Sequence, residues 1–211
     1  EFVSGKVAGD TASLTDPALD RILEFAGEVG LPVILHNDID MPFAKSGTEP
    51  VYLAQIKDLM RRHPKATIIW AHMGLGRVVH PTQAQASAGP GERSANFRDI
   101  VESILTDPSL SHAYFDISWD ETAKYAVASP ESIRRSAEAF NRYPGRFLFG
   151  TDNVAPPDQA AQMRVHDLWT PIWAQLTPEA LHSIRQGNYE RIFDAARLKV
   201  RAWEKANPWP R

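Results

Sequence analysis

Four short runs set the architecture of this chain: LPVILH (residues 31–36), TIIWAH (67–72), AYFDIS (113–118) and RFLFGTD (146–152). Each is too short for a helix of ordinary length. Each is rich in β-branched or aromatic residues, and none alternates apolar with polar. That is the pattern of a strand buried on both faces, as in a parallel sheet covered by helices. Each run also stops abruptly at a polar group: His36, His72, Ser118 and Asp152.

Amphipathic helical patterns separate the runs. TDPALDRILEFAGEVG offers Asp16 as N-cap, Pro17 at the first helical position, a stripe of Leu19, Ile22, Leu23 and Ala26, and Gly30 as a stop. TEPVYLAQIKDLMRRHP puts Leu53, Ile56, Leu59 and Met60 on one face and ends before Pro64. NFRDIVESIL spaces Phe97, Ile100, Val101, Ile104 and Leu105 helically, and SPESIRRSAEAFNRYP opens with Ser129-Pro130 and closes before Pro144. After Asp152 the pattern is helical throughout: VHDLWTPIWAQL, then TPEALHSIRQ capped by Thr177, then GNYERIFDAARLKVRAWEKA. From His36 to His72 is 36 residues, from His72 to Ile117 is 45, and from Ile117 to Asp152 is 35. A (β/α)₈ barrel uses about 30 residues per unit before insertions. These spacings fit consecutive βα units, so the expected fold is α/β, with residues 1–211 forming one domain. The longest unit is stretched by a Gly- and Pro-rich loop over about residues 73–94, a length typical of functional lids or of disordered segments.

Composition narrows the chemistry. The formal net charge is −3, so there is no basic footprint for nucleic acid and no polybasic membrane patch. No run approaches the roughly 18 apolar residues of a membrane span. The chain has no cysteine, which removes disulfides and thiolate metal sites and leaves His, Asp and Glu as metal donors. This is compatible with a reducing compartment, and a cytoplasmic location is expected.

In parallel α/β sheets and barrels the active site lies at the C-terminal ends of the strands. His36, His72 and Asp152 each hold that position on a different strand. In a closed barrel the three converge, and imidazole with carboxylate is a donor set for Zn²⁺ or a similar divalent ion. Singly, each has a plainer reading: a hydrogen-bonded near-surface histidine, or a turn or cap aspartate in G-T-D. His63, His80, His112, His166 and His182 read as structural or solvated, Trp169 and Trp173 as core, Arg134-Arg135 as a solvated helix face and Asn188 as a helix cap.

LPVILH, TIIWAHMG, YFDIS, RFLFGTD and GNYERIF, spread over nearly all of residues 16–193, together resemble the amidohydrolase-related metal-dependent hydrolases. The branch resembled includes aminocarboxymuconate-semialdehyde decarboxylase, resorcylate-type decarboxylases and dicarboxylate lactonases. The resemblance implies a distorted TIM barrel with a divalent metal, most often Zn²⁺, with Mn²⁺ as the alternative. It implies His36 on strand 5 as a metal ligand, and His72 on strand 6 as the histidine that polarises substrate or shuttles protons. It implies Asp152 on strand 8 as a ligand that also handles protons. The family's strand-1 His-x-His pair has no counterpart here. EFVSGKVAG reads as the tail of strand 4, so the expectation is a chain holding strands 4–8, with open edges that invite homo-oligomerisation.

The expected activity is metal-dependent hydrolysis or non-oxidative decarboxylation of a small, carboxylated organic substrate. Lys45, Arg77, Arg93 and Lys124 are candidate partners for its carboxylate. The rival is a degenerate barrel retained as a binding or assembly module, favoured by the missing His-x-His and opposed by the three strand-end groups.

Overall fold

The computed structural model describes residues 2–4, 13–39, 50–75 and 97–208. Chain contacts divide them into two compact units, one formed by residues up to Ala113 together with Lys199–Arg211, the other by Tyr114–Leu198.

The first unit contains three parallel strands: β1 (Phe2–Ser4), β2 (Pro32–Asn37) and β3 (Thr67–Trp70). Val3 pairs with His36 in register, and Leu35 with Trp70, so β2 lies between the other two. Helix α1 (Pro17–Val29) leads into β2. Asp16 caps it by accepting from the Ala18 amide, and Gly30 ends it at φ 83°. Leu19, Leu23, Ala26 and Val29 are buried on α1, whereas Ile22, expected in the stripe, is 46% exposed. The buried stripe is narrower than the apolar pattern, and Ile22 lies on its flank. Helix α2 (Leu53–Arg62) buries Leu53, Ile56, Leu59 and Met60 as its spacing requires, and it closes at His63 before Pro64. Helix α3 (Phe97–Leu105) buries Ile100, Val101, Ile104 and Leu105. The salt bridge between Arg61 and Asp107 (2.7 Å) and the bond from Lys57 to Ser103 (2.7 Å) tie α2 to the segment around α3.

The second unit holds the parallel pair β4 (Ala113–Asp116) and β5 (Phe147–Leu148), with Phe115 opposite Phe147. Both strands are shorter than their apolar runs. Backbone bonds nevertheless continue beyond them, from Ile117 N to Leu148 O (2.9 Å) and from Trp119 N to Thr151 O (3.1 Å). Helix α4 (Asp120–Ala126) has no counterpart in the sequence reading; α5 (Pro130–Arg142) is capped by Ser129 as expected. The helices α6 (Gln159–Leu168), α7 (Thr170–Trp173) and α8 (Pro178–His182) follow. A π-helical turn over Ser183–Gly187 then runs into α9 (Asn188–Ala206). Trp169 is fully buried, stacks on Trp173 at 5.5 Å and meets Phe140, which packs on Phe147 at 4.6 Å. Trp169 is core, as its spacing suggested, whereas Trp173 is only half-buried beside it.

Among the described residues no helix is long and apolar enough to cross a membrane.

Candidate functional site

The site in the first unit is built by the chain leaving β2 and β3. Side chains alternate along a strand, so positions 36 and 38 project to the same side of the chain. His36 is the penultimate residue of β2 and Asp38 follows its last residue; they are 5% and 4% exposed. His36 Nε2 and Asp38 Oδ1 are 3.5 Å apart. Asp38 Oδ1 is buried and has no hydrogen-bond partner among the described residues.

His72 stands two residues past the end of β3, in a 3₁₀ turn over Ala71–Gly74. The turn, rather than the strand, aims the side chain. His72 and Met73 both have φ 53°, and Gly74 has φ 80°. Left-handed backbone costs an L-residue about 1–2 kcal/mol, so two such residues in succession persist only where their surroundings hold them. What holds them is visible. Leu75 N donates to His72 O (3.0 Å), and Ile39 N donates to Gly74 O (2.8 Å). The Trp70 indole N–H donates to Asn37 O (2.9 Å), and the Asn37 amide donates to Asp38 O (2.7 Å). The loops after β2 and β3 are thereby stitched together. His72, 4% exposed, packs against His36 with ring centroids 4.7 Å apart, nearly edge to face. The structure thus brings His36 and His72 together.

Asp152 lies in the second unit beyond β5, at φ 46°. Nearby, the Asp116 carboxylate accepts from the Ser118 amide (3.1 Å) and from its hydroxyl. Gly150 leaves room for that pair, since a Cβ there would stand 3.2 Å from Ser118 Cβ. Thr151 Oγ1 accepts from the Gln162 amide (3.1 Å).

The other candidates separate cleanly. Lys124 is bound to Glu121 (2.5 Å) and Asp120 (2.9 Å), its pKa held well above the usual lysine range by hydrogen bonds to those two carboxylates. It is already neutralised by acids of its own helix. Lys45, Arg77, Arg93 and His80, with most of the long loop, lie outside the described residues. His63 pairs with Asp20 (2.5 Å) and His112 with the Met60 carbonyl (2.8 Å); Phe149 packs on His166 at 4.8 Å. Arg134 and Arg135 pair with Glu131 and Glu138 on an exposed helix face. Asn188 was expected to cap a helix. Instead its buried amide donates to the carbonyls of Pro144 (2.6 Å) and Phe147 (2.8 Å), tying α9 to the start of β5. Sequence reasoning missed the clamp at Trp70 and gave Asp38 no role, although its two-residue offset from His36 was the available signal.

A model of the amidohydrolase family matches residues 6–195. This chain belongs to the amidohydrolase family. Among solved structures, an uncharacterised TIM-barrel protein from Bordetella bronchiseptica aligns at TM-score 0.56 and 19% identity, covering 91% of this chain and 56% of its own. An amidohydrolase from Burkholderia multivorans, solved with bound zinc, aligns at TM-score 0.53 and 13% identity, covering 86% of this chain and 58% of its own. The chain therefore has the TIM-barrel-like α/β fold of this amidohydrolase superfamily and spans a little over half the length of those structures. No curated protein matches it.

Among the described residues, no group of three or more His, Asp or Glu side chains is arranged to hold a metal ion. The pair His36 and Asp38 nevertheless has the donor chemistry a divalent cation requires. A buried carboxylate oxygen without a hydrogen bond is costly unless a cation faces it.

Proposed function

We propose that the protein carrying this chain is a metal-dependent hydrolase or non-oxidative carboxy-lyase acting on a small, carboxylated organic substrate. The observation that carries the reading is the buried edge-to-face pair of His36 and His72, held on strained and stitched loops at the C-terminal ends of adjacent parallel strands. Strain stored at such a place is a mark of a working site.

In this reading His36 and Asp152 hold a divalent metal, Zn²⁺ or else Mn²⁺, which supplies Lewis acidity. The Asp152 carboxylate accepts a proton from the attacking water or substrate. His72 hydrogen-bonds the reacting oxygen and exchanges a proton with it through a ring nitrogen. The fixed turn at His72–Gly74 keeps the imidazole oriented. In this reading, too, residues 1–211 are a single domain, strands 4–8 of the barrel, in a cytoplasmic enzyme that forms a homo-oligomer. The decarboxylase-like branch is the sub-family proposed.

The second reading, a binding or assembly module without catalysis, is favoured by the lack of a three-donor group among the described residues. Elemental analysis decides between them. Purified protein should hold a divalent metal, and His36→Ala and Asp152→Asn should lower metal content and turnover together. Assays for CO₂ release and for acid release, over a panel of small carboxylates and lactones, separate decarboxylation from hydrolysis. Unchanged metal stoichiometry in both variants would refute their assignment as ligands.

A further inference from the structure

We infer that Asp38 is a metal ligand, binding through Oδ1 the same divalent ion as His36. The inference rests on the metal-dependent reading above and extends it to a residue that reading does not use.

The distance carries the argument. His36 Nε2 and Asp38 Oδ1 are 3.5 Å apart. Hydrogen bonds between nitrogen and oxygen span about 2.7–3.2 Å, so the two are not hydrogen-bonded. They are instead at the bite of a tetrahedral zinc. With Zn–N of about 2.0–2.1 Å and Zn–O of about 2.0–2.2 Å, two donors at the tetrahedral angle stand about 3.3–3.5 Å apart.

Burial is the second support. Asp38 is 4% exposed and its Oδ1 has no hydrogen-bond partner among the described residues. A carboxylate in that position needs a positive partner, and a cation between the two side chains supplies one. Preorganisation is the third. On one side of Asp38, Asn37 O accepts from the Trp70 indole; the Asp38 carbonyl itself accepts from the Asn37 amide; on the other side, Ile39 N donates to Gly74 O. The backbone that presents the carboxylate is pinned, as a ligating residue requires.

Co²⁺ titration of the metal-free protein, followed by visible absorption and elemental analysis, tests the inference. Asp38→Asn and Asp38→Ala are each expected to weaken Co²⁺ binding more than about 100-fold, beyond the 10–100-fold typical of a residue that only positions a ligand. Metal-free Asp38→Asn should melt no lower than metal-free wild type, because it removes a buried charge whose Oδ1 has no hydrogen-bond partner among the described residues. A weakening below about 100-fold in both variants, or a lower melting temperature of metal-free Asp38→Asn, overturns the assignment. If His36→Ala loses Co²⁺ while both Asp38 variants keep it, the metal-dependent reading stands and the Asp38 assignment alone falls. Wild type that binds no Co²⁺ removes both.

Discussion

Gly74→Ala should destabilise the first unit more than any other single-methyl addition at the glycines described. Gly74 sits at φ 80°, and a Cβ there would lie 2.2 Å from the Trp70 ring. Trp70 is fully buried and its indole is committed to Asn37 O, so the ring cannot swing away without breaking that bond. Left-handed backbone costs an alanine about 1–2 kcal/mol. Forcing a methyl into a packed core costs about 1–3 kcal/mol more. The expected total is about 2–5 kcal/mol. Gly30 supplies the control. It has nearly the same backbone, φ 83°, but its Cβ would meet only the flexible side chain of Lys199 at 2.7 Å. Gly30→Ala should therefore show the backbone cost alone, about 1–2 kcal/mol. Gly145→Ala should be close to neutral, since the nearest atom to its Cβ would be 4.0 Å away. Urea unfolding of the three variants measures the series; with a slope of about 2 kcal/mol/M, 3 kcal/mol moves the midpoint by about 1.5 M. Trp70→Phe, which shortens the ring system, should recover part of the Gly74→Ala loss in the double variant. Equal destabilisation by Gly74→Ala and Gly30→Ala would refute the claim that Trp70 packing fixes the turn carrying His72.

Three further outcomes are expected. Asp107 has its pKa lowered to about 2, first by the Ser109 hydroxyl, then by Arg61 and the Ser109 amide, so its stabilisation is complete above the unfolded value near 4 and lost as pH falls toward 2. Thermal melts of Asp107→Asn should lose that acid-side dependence, and an unchanged pH profile would count against it. Asn188→Ala leaves the Pro144 and Phe147 carbonyls without their donor and should cost about 2–4 kcal/mol by urea unfolding, with Asn188→Asp worse because it replaces a donor with an acceptor. His72→Asn should retain most bound metal while turnover falls about 10²–10⁴-fold; near-normal turnover would remove His72 from the chemistry.

The parts of this molecule that follow from short-range periodicity were legible in the sequence. Asp16-Pro17 and Gly30 bracket α1, Ser129-Pro130 opens α5, and the α2 stripe is buried at all four named positions. Such signals are read by a residue's neighbours within one turn, so sequence distance and spatial distance coincide. The strand-end histidines were legible for the same reason, since a dry strand can end in an imidazole only where the sheet meets something polar. The Trp70–Asn37 clamp, however, joins residues 33 apart, and the Asn188 bond to Phe147 joins residues 41 apart. Periodicity carries no information about such pairs. Nor does it mark that the chain turns left-handed at His72 and Met73, since most histidines and nearly all methionines lie outside that backbone region. Gly74 was the one visible trace, because a glycine directly after a strand-end His-Met is the residue that lets the Trp70 ring close over the turn. Local rules thus locate the groups that carry chemistry. The tertiary contacts that aim them, by overriding backbone preference at His72 and burying Asp38 beside His36, become visible only in three dimensions.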